Sequence, residues 1–177
     1  TDAYVSQLRT DPYAANLVLA LPFVNGGLGT DGTSSGINTG FGDYSAVIKG
    51  SGSAKVPTTI TSVSIANTAS YYGSSGDFVR TTNSGITFPA STDFSSENDI
   101  TIEFWMNLKN MSNAAYPVGK WNSTDNEREY LVEVTTGGNF NIYTSSNGSS
   151  TTTISGATGI ITSNQWNHIV YEKNGSN

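Results

Sequence analysis

Three carboxylates lie close together in the run 126–134 (NEREYLVEV): Glu127, Glu129 and Glu133. On an extended strand Glu129 and Glu133 share one side, because successive side chains leave a pleated backbone on opposite faces. Glycoside hydrolysis uses two carboxyl groups about 5–10 Å apart, one on either side of the bond to be cleaved. Nothing in the chain extends this pair into a recognisable catalytic motif. His168 is the only histidine and falls in the middle of a strand pattern, where a packed or hydrogen-bonded role is expected. With no cysteine, no second histidine and no nucleophile beside a base, triad and thiol chemistry have no foundation, and the chain is read as non-enzymatic.

Binding is the chemistry the residues suit better. Trp121 is followed by Asn122, Asp125 and Asn126, a stacking surface beside amide and carboxylate hydrogen-bonding groups. A sugar ring, with an apolar face and a rim of hydroxyls, needs both. These four residues are the candidate glycan-binding site, and Tyr71 with Tyr72 forms a second aromatic cluster. Aromatic residues at strand ends also serve as rim packing, so the fold must decide between the two roles. Asp31, Asp43, Asp77, Asp93, Asp99 and Asp125 sit in turn-rich stretches and carry the oxygen ligands that calcium takes. None belongs to a recognisable calcium loop, and turn aspartates commonly cap their own backbone. No metal site is assigned and no cofactor is expected.

The elements that position these residues are strands. Only 12% of the 177 residues are charged, against about a quarter in an average protein, and Ser, Thr and Asn make up the polar balance. Those residues favour strands and turns over helix interiors. Nine Tyr, seven Phe and three Trp are too many aromatics for a disordered chain. A net charge of −6 with no run of Lys or Arg argues against nucleic acid and anionic membrane surfaces as partners. No apolar stretch is long enough to insert into a membrane. The lack of cysteine points to a bacterial or viral source rather than a secreted eukaryotic module.

The strongest element is 98–109 (NDITIEFWMNLK). Ile100, Ile102, Phe104, Met106 and Leu108 alternate with Thr101, Glu103, Trp105, Asn107 and Lys109, the period of a half-buried strand. Further strands are expected at 17–23, 47–49, 54–56, 58–66, 77–80, 86–89, 116–121 and 165–171, with a glycine-rich loop over 25–42. The runs 130–134 and 140–143 flank Thr-Gly-Gly-Asn, the spacing of a β-hairpin. Many short strands with closely spaced turns predict an all-β, antiparallel two-sheet sandwich or jelly roll.

Four stretches in order carry a family resemblance: 11–23 (DPYAANLVLALPF), 76–94 (GDFVR to FPASTDF), 99–105 (DITIEFW) and 165–170 (QWNHIV). They are similar to laminin-G-like domains of the concanavalin A-like lectin/glucanase type. More narrowly, the chain resembles versions found in tail-fibre and other virion proteins of marine phages, including cyanophages, where the motifs read GDYLxVP, DFTIEFW and WxHVA. The resemblance implies two antiparallel sheets packed face to face, with Glu103 and Trp105 on an outer surface. The Glu-x-Asp-x-x-Glu spacing of one glucanase branch of this fold is absent from the chain.

Such domains continue after WxHVA with an LxLYVNG strand and a closing strand containing GxIDDVRI. The resemblance therefore implies a sandwich over 12–177 lacking its last strands, behind an arm or linker over 1–11. Between 165 and 171 there is no Lys, Arg, Asp, Glu or Pro to protect a strand edge, so downstream residues or another chain are expected to cover it. Asn174-Gly175 suits a type I′ return turn. The function the resemblance implies is a virion structural protein: a fibre, tail or capsid-surface component on the exposed surface of the particle. Its partners would be other virion proteins, copies of itself and a host-surface glycan. The alternative is a glycan-binding module of a bacterial surface or secreted protein.

Overall fold

The alternation over 100–107 is realised as a strand, and its pleat sets the layers around it. The computed structural model describes residues 18, 19, 21, 23, 58–66, 75–80, 83–95 and 99–175. The chain divides into two units, 1–94 and 95–177. The arm at 1–11, the expected strands at 47–49 and 54–56, the loop over 25–42, and Tyr71 and Tyr72 lie outside the described residues, as do Leu17, Ala20 and Pro22; the four described residues of the strand expected at 17–23 are not in a strand.

In the first unit, β1 (Thr59–Thr61) pairs antiparallel with β4 (Gly85–Thr87), and β2 (Val63–Ala66) with β3 (Ser75–Phe78). The single strand expected over 58–66 is divided, because Ser62 adopts a left-handed φ of 50° between β1 and β2. Its carbonyl instead accepts the Val79 amide at 3.1 Å. Phe23 and Phe78 meet edge to face at 6.0 Å. A β-carbon on Gly76 would lie 2.9 Å from both rings, so glycine is what lets them approach.

The second unit is a two-layer sandwich. One layer pairs β5 (Ile100–Asn107) with β10 (Trp166–Lys173), antiparallel over eight positions from Asn107↔Trp166 to Ile100↔Lys173. The other has the order β6-β7-β8-β9: β6 (Gly119–Asn122), β7 (Glu127–Val134), β8 (Phe140–Gly148) and β9 (Thr152–Ser155). Val134, Ile161 and Ile169 are buried between the layers, packed against Phe104, Met106, Leu108, Met111 and Phe140. Ile102, Phe104 and Met106 are shielded as the alternation requires, while Thr101 and Glu103 are exposed. Trp105 breaks the pattern only in degree. It lies on the outer face but is half-buried, because His168 from the neighbouring strand stacks on it at 4.6 Å and 18°.

The β7–β8 hairpin forms where the sequence places it. Thr135 and Asn139 close the turn, with the Thr135 amide donating to the Asn139 carbonyl at 3.0 Å. Gly138 has φ of 72°, and a β-carbon there would stand 2.5 Å from the Ile161 carbonyl oxygen. The Gly138 carbonyl accepts the Ile161 amide at 3.0 Å, so the turn is fastened to the loop that supplies a core residue. The type I′ reading of Asn174-Gly175 is corrected: only Gly175 has positive φ, whereas that turn needs it at both residues. The Gly175 amide donates to Asp99 Oδ1 at 2.6 Å, tying the end of β10 to the start of β5.

Phe104→Asp should abolish cooperative folding of the second unit, because an unpaired buried charge costs several kcal/mol out of a typical total of about 5–15. Thr101→Asp, on the exposed face, should melt within a few degrees of the parent. Equal melting temperatures would show that the faces of β5 are misassigned. Gly138→Ala and Gly159→Ala form a second test, since both positions have left-handed φ but only Gly138 is crowded. Gly159→Ala should cost about 1–2 kcal/mol for backbone strain, and Gly138→Ala roughly 1–3 kcal/mol more for overpacking. Urea denaturation of both variants reads the difference.

Candidate functional site

The pleat of β7 decides which residues can form a site. Val132 pairs with Ile142 and Val134 with Phe140, which turns these side chains towards the core. The alternating positions, Leu131 opposite Tyr143 and Glu133 opposite Asn141, therefore share the outer face. Tyr116 joins them from the segment before β6. Ala115 is bridged to Val134 by two hydrogen bonds, Ala115 amide to Val134 carbonyl at 2.9 Å and Val134 amide to Ala115 carbonyl at 2.8 Å.

Glu133 is the centre of this face. Its Oε2 accepts the Tyr143 hydroxyl at 2.6 Å and the Asn141 amide nitrogen at 2.9 Å, and its Oε1 accepts the Tyr116 hydroxyl at 3.3 Å. Glu133 is 8% exposed and lies just under the surface, among the three groups that donate to it. Asn141 Oδ1 is closed to water and has no hydrogen-bond partner among the described residues.

Trp121 extends the face, meeting the Tyr143 ring edge-on at 6.2 Å. The Arg128 guanidinium lies 5.9 Å from the Trp121 ring centre. Trp121 and Asn122 end β6, and Asp125 and Asn126 lie in the turn that follows, but the polar groups of these three neighbours are largely occupied there. Asn122 Oδ1 accepts the Thr124 and Asp125 amides at 3.1 and 3.3 Å, and its Nδ2 donates to Asp125 at 2.7 Å. Asn126, at φ 58°, accepts from Arg128 at 3.3 Å. Arg128 also donates to the carbonyls of Ser123, Gly148 and Ser149 at 3.0, 3.1 and 2.8 Å, which locks this turn to the end of β8.

The sequence profile of the concanavalin A-like lectin/glucanases superfamily matches residues 80–177, just over half of the chain. The chain belongs to that superfamily. No curated protein and no solved structure matches it. In this concanavalin A-like domain Glu129 and Glu133 are separately engaged. Glu129 is ion-paired with Lys120 and accepts from Ser95 at 3.0 Å. Four strand residues also set the two about 13 Å apart along the backbone. His168 is hydrogen-bonded, its Nε2 2.8 Å from Glu103 Oε1. Among the described residues no three His, Asp or Glu side chains gather as a metal site would require.

In the sequence Glu133 stands out only as half of a carboxylate pair, and Tyr116, Asn141 and Tyr143 do not stand out as site residues. A signal was there: a lone Glu inside the apolar run YLVEV, with Asn-Ile-Tyr in the other arm of the same hairpin. Register alone brings them together.

The Tyr143 hydrogen bond is the main influence holding the Glu133 carboxyl below its ordinary range; burial opposes it, and the bonds from Asn141 and Tyr116 add to the lowering. The Tyr143 phenol is raised in turn, chiefly by the same bond, and burial pushes the Tyr130 phenol up to about 12, aided by the charge of Glu129. A carboxyl lowered by folding stabilises the protein above its unfolded value and loses that contribution as pH falls through the folded one. The urea midpoint should therefore drop as pH falls below the ordinary carboxylate range, and Tyr143→Phe should flatten that drop. At pH 7 the same variant should be less stable by about 1.5–3 kcal/mol, the range for a hydrogen bond to a charged group. An unchanged acid limb would remove Glu133 as its source.

Proposed function

We propose that this domain is a glycan-binding adhesion module whose ligand lies against the outer face of β6, β7 and β8. The observation that carries this is the alignment of Trp121, Tyr143 and Tyr116 with the Glu133 carboxylate on one sheet face. Tyr116 is 58% exposed, so the row is open to water at that end. Aromatic rings offer stacking surface to the apolar face of a sugar, and an ionised carboxylate with free lone pairs accepts its hydroxyls. Within this reading Trp121 makes contact, while Asn122, Asp125 and Asn126 shape the turn that holds it and offer their remaining lone pairs.

Hydrolysis forms no part of the proposal, because Glu133 is held as a carboxylate and Glu129 is paired elsewhere. The setting we propose is a virion, as a fibre, tail or capsid-surface component among other virion proteins or copies of itself. The order of the 99–105 and 165–170 motifs supports this. The same face would serve a bacterial surface or secreted protein equally well.

A glycan array probed with the 177-residue chain tests the binding reading. Bound glycans should lose at least tenfold in affinity on Trp121→Ala, with the melting temperature of the variant checked in parallel. Incubation with the bound polysaccharide should release no reducing sugar. Absence of binding, or binding indifferent to Trp121 in a folded variant, would refute the proposal.

A further inference from the structure

Resting on that reading, we infer that the site selects uncharged glycans and turns away those bearing carboxylate or sulfate groups. The polar groups on this face are weighted towards acceptors. Of the two Glu133 oxygens, Oε2 holds two short hydrogen bonds, whereas Oε1 holds one of 3.3 Å from an exposed tyrosine. Oε1 is therefore the oxygen with capacity for a ligand hydroxyl. The tyrosine hydroxyls give their protons to Glu133 and are left with lone pairs. Asn141 Oδ1, unpartnered beside them, adds a further negative dipole end.

Recognition of a sugar carboxylate or sulfate calls for the opposite equipment, a cation free to fork onto two oxygens. Among the described residues, the two basic groups on β6 and β7 are committed. Arg128 has both terminal nitrogens on backbone carbonyls and on Asn126. Lys120 is ion-paired with Glu129. An anionic group entering beside Glu133 would meet a like charge in a partly desolvated setting, where repulsion exceeds its value in bulk water. The whole chain, at −6, adds to the effect at long range.

The test compares neutral glycans with their acidic counterparts: lactose with sialyllactose, dextran with dextran sulfate, and agarose oligosaccharides with sulfated carrageenan oligosaccharides. Neutral members should bind, with acidic members at least tenfold weaker. Glu133→Gln removes the charge at nearly constant shape. It should weaken neutral binding and narrow the gap between the two classes. Should that variant fail to fold, salt titration of the unaltered protein gives a second reading, since screening should narrow the same gap. Acidic glycans bound as tightly as neutral ones, or more tightly, would overturn the inference and leave the glycan-binding reading intact. No binding to any glycan would remove that reading and the inference with it.

Discussion

Val132 and Val134 are sealed from water at 0% and 1% exposure, and the strand that carries them has a period of two. That combination constrains everything else on β7. A shift of one residue would bring Glu133 into the core and expose both valines, so the register is strongly specified. At Val134 the partner layer enforces it from the other side, through Ile169 on β10 and Phe104 and Met106 on β5. The turn at Gly138 and its link to Ile161 fix the hairpin end of the same strand.

Glu133 is tolerated next to these valines because its charge is met by donors. A carboxylate shielded from water without partners would destabilise the fold or take up a proton. Here two phenols and an amide hold it ionised, and it in turn orients them. Tyr116 comes from the segment before β6, and Asn141 and Tyr143 come from β8, so the carboxylate is also a local organiser of the sheet face. A preorganised array of this kind lowers the ordering cost when a ligand arrives.

The neighbouring turn is built on different physics. Arg128 gathers the carbonyls of Ser123, Gly148 and Ser149, and its charge lies near the Trp121 ring. Gly148 has φ of 76°, and a β-carbon there would collide with the Asn126 carbonyl. These contacts confine the turn that follows Trp121, and with the bonds Asn122 makes inside that turn they occupy polar groups that looked available for recognition. Rigidity of the aromatic platform is gained at the expense of free hydrogen-bonding groups around it.

The all-β class, the 100–107 strand with its buried and exposed sides, the hairpin after β7 and the strand carrying His168 are all legible in the sequence. Each rests on local periodicity or on turn residues that need no distant partner. The sequence also drew attention to Trp121 and its polar neighbours. Asn122 and Asp125 turn to each other within the turn, and Asn126 is held by Arg128, whose other partners include the end of β8, twenty residues further along the chain. The division of 58–66 at Ser62 and the stacking of Trp105 on His168 were decided by tertiary structure for the same reason. So was the trio around Glu133: Tyr116, Asn141 and Tyr143 acquire their roles through cross-strand register. Register follows from which side chains of β7 are buried, and the packing that buries Val134 is contained in no single stretch of sequence.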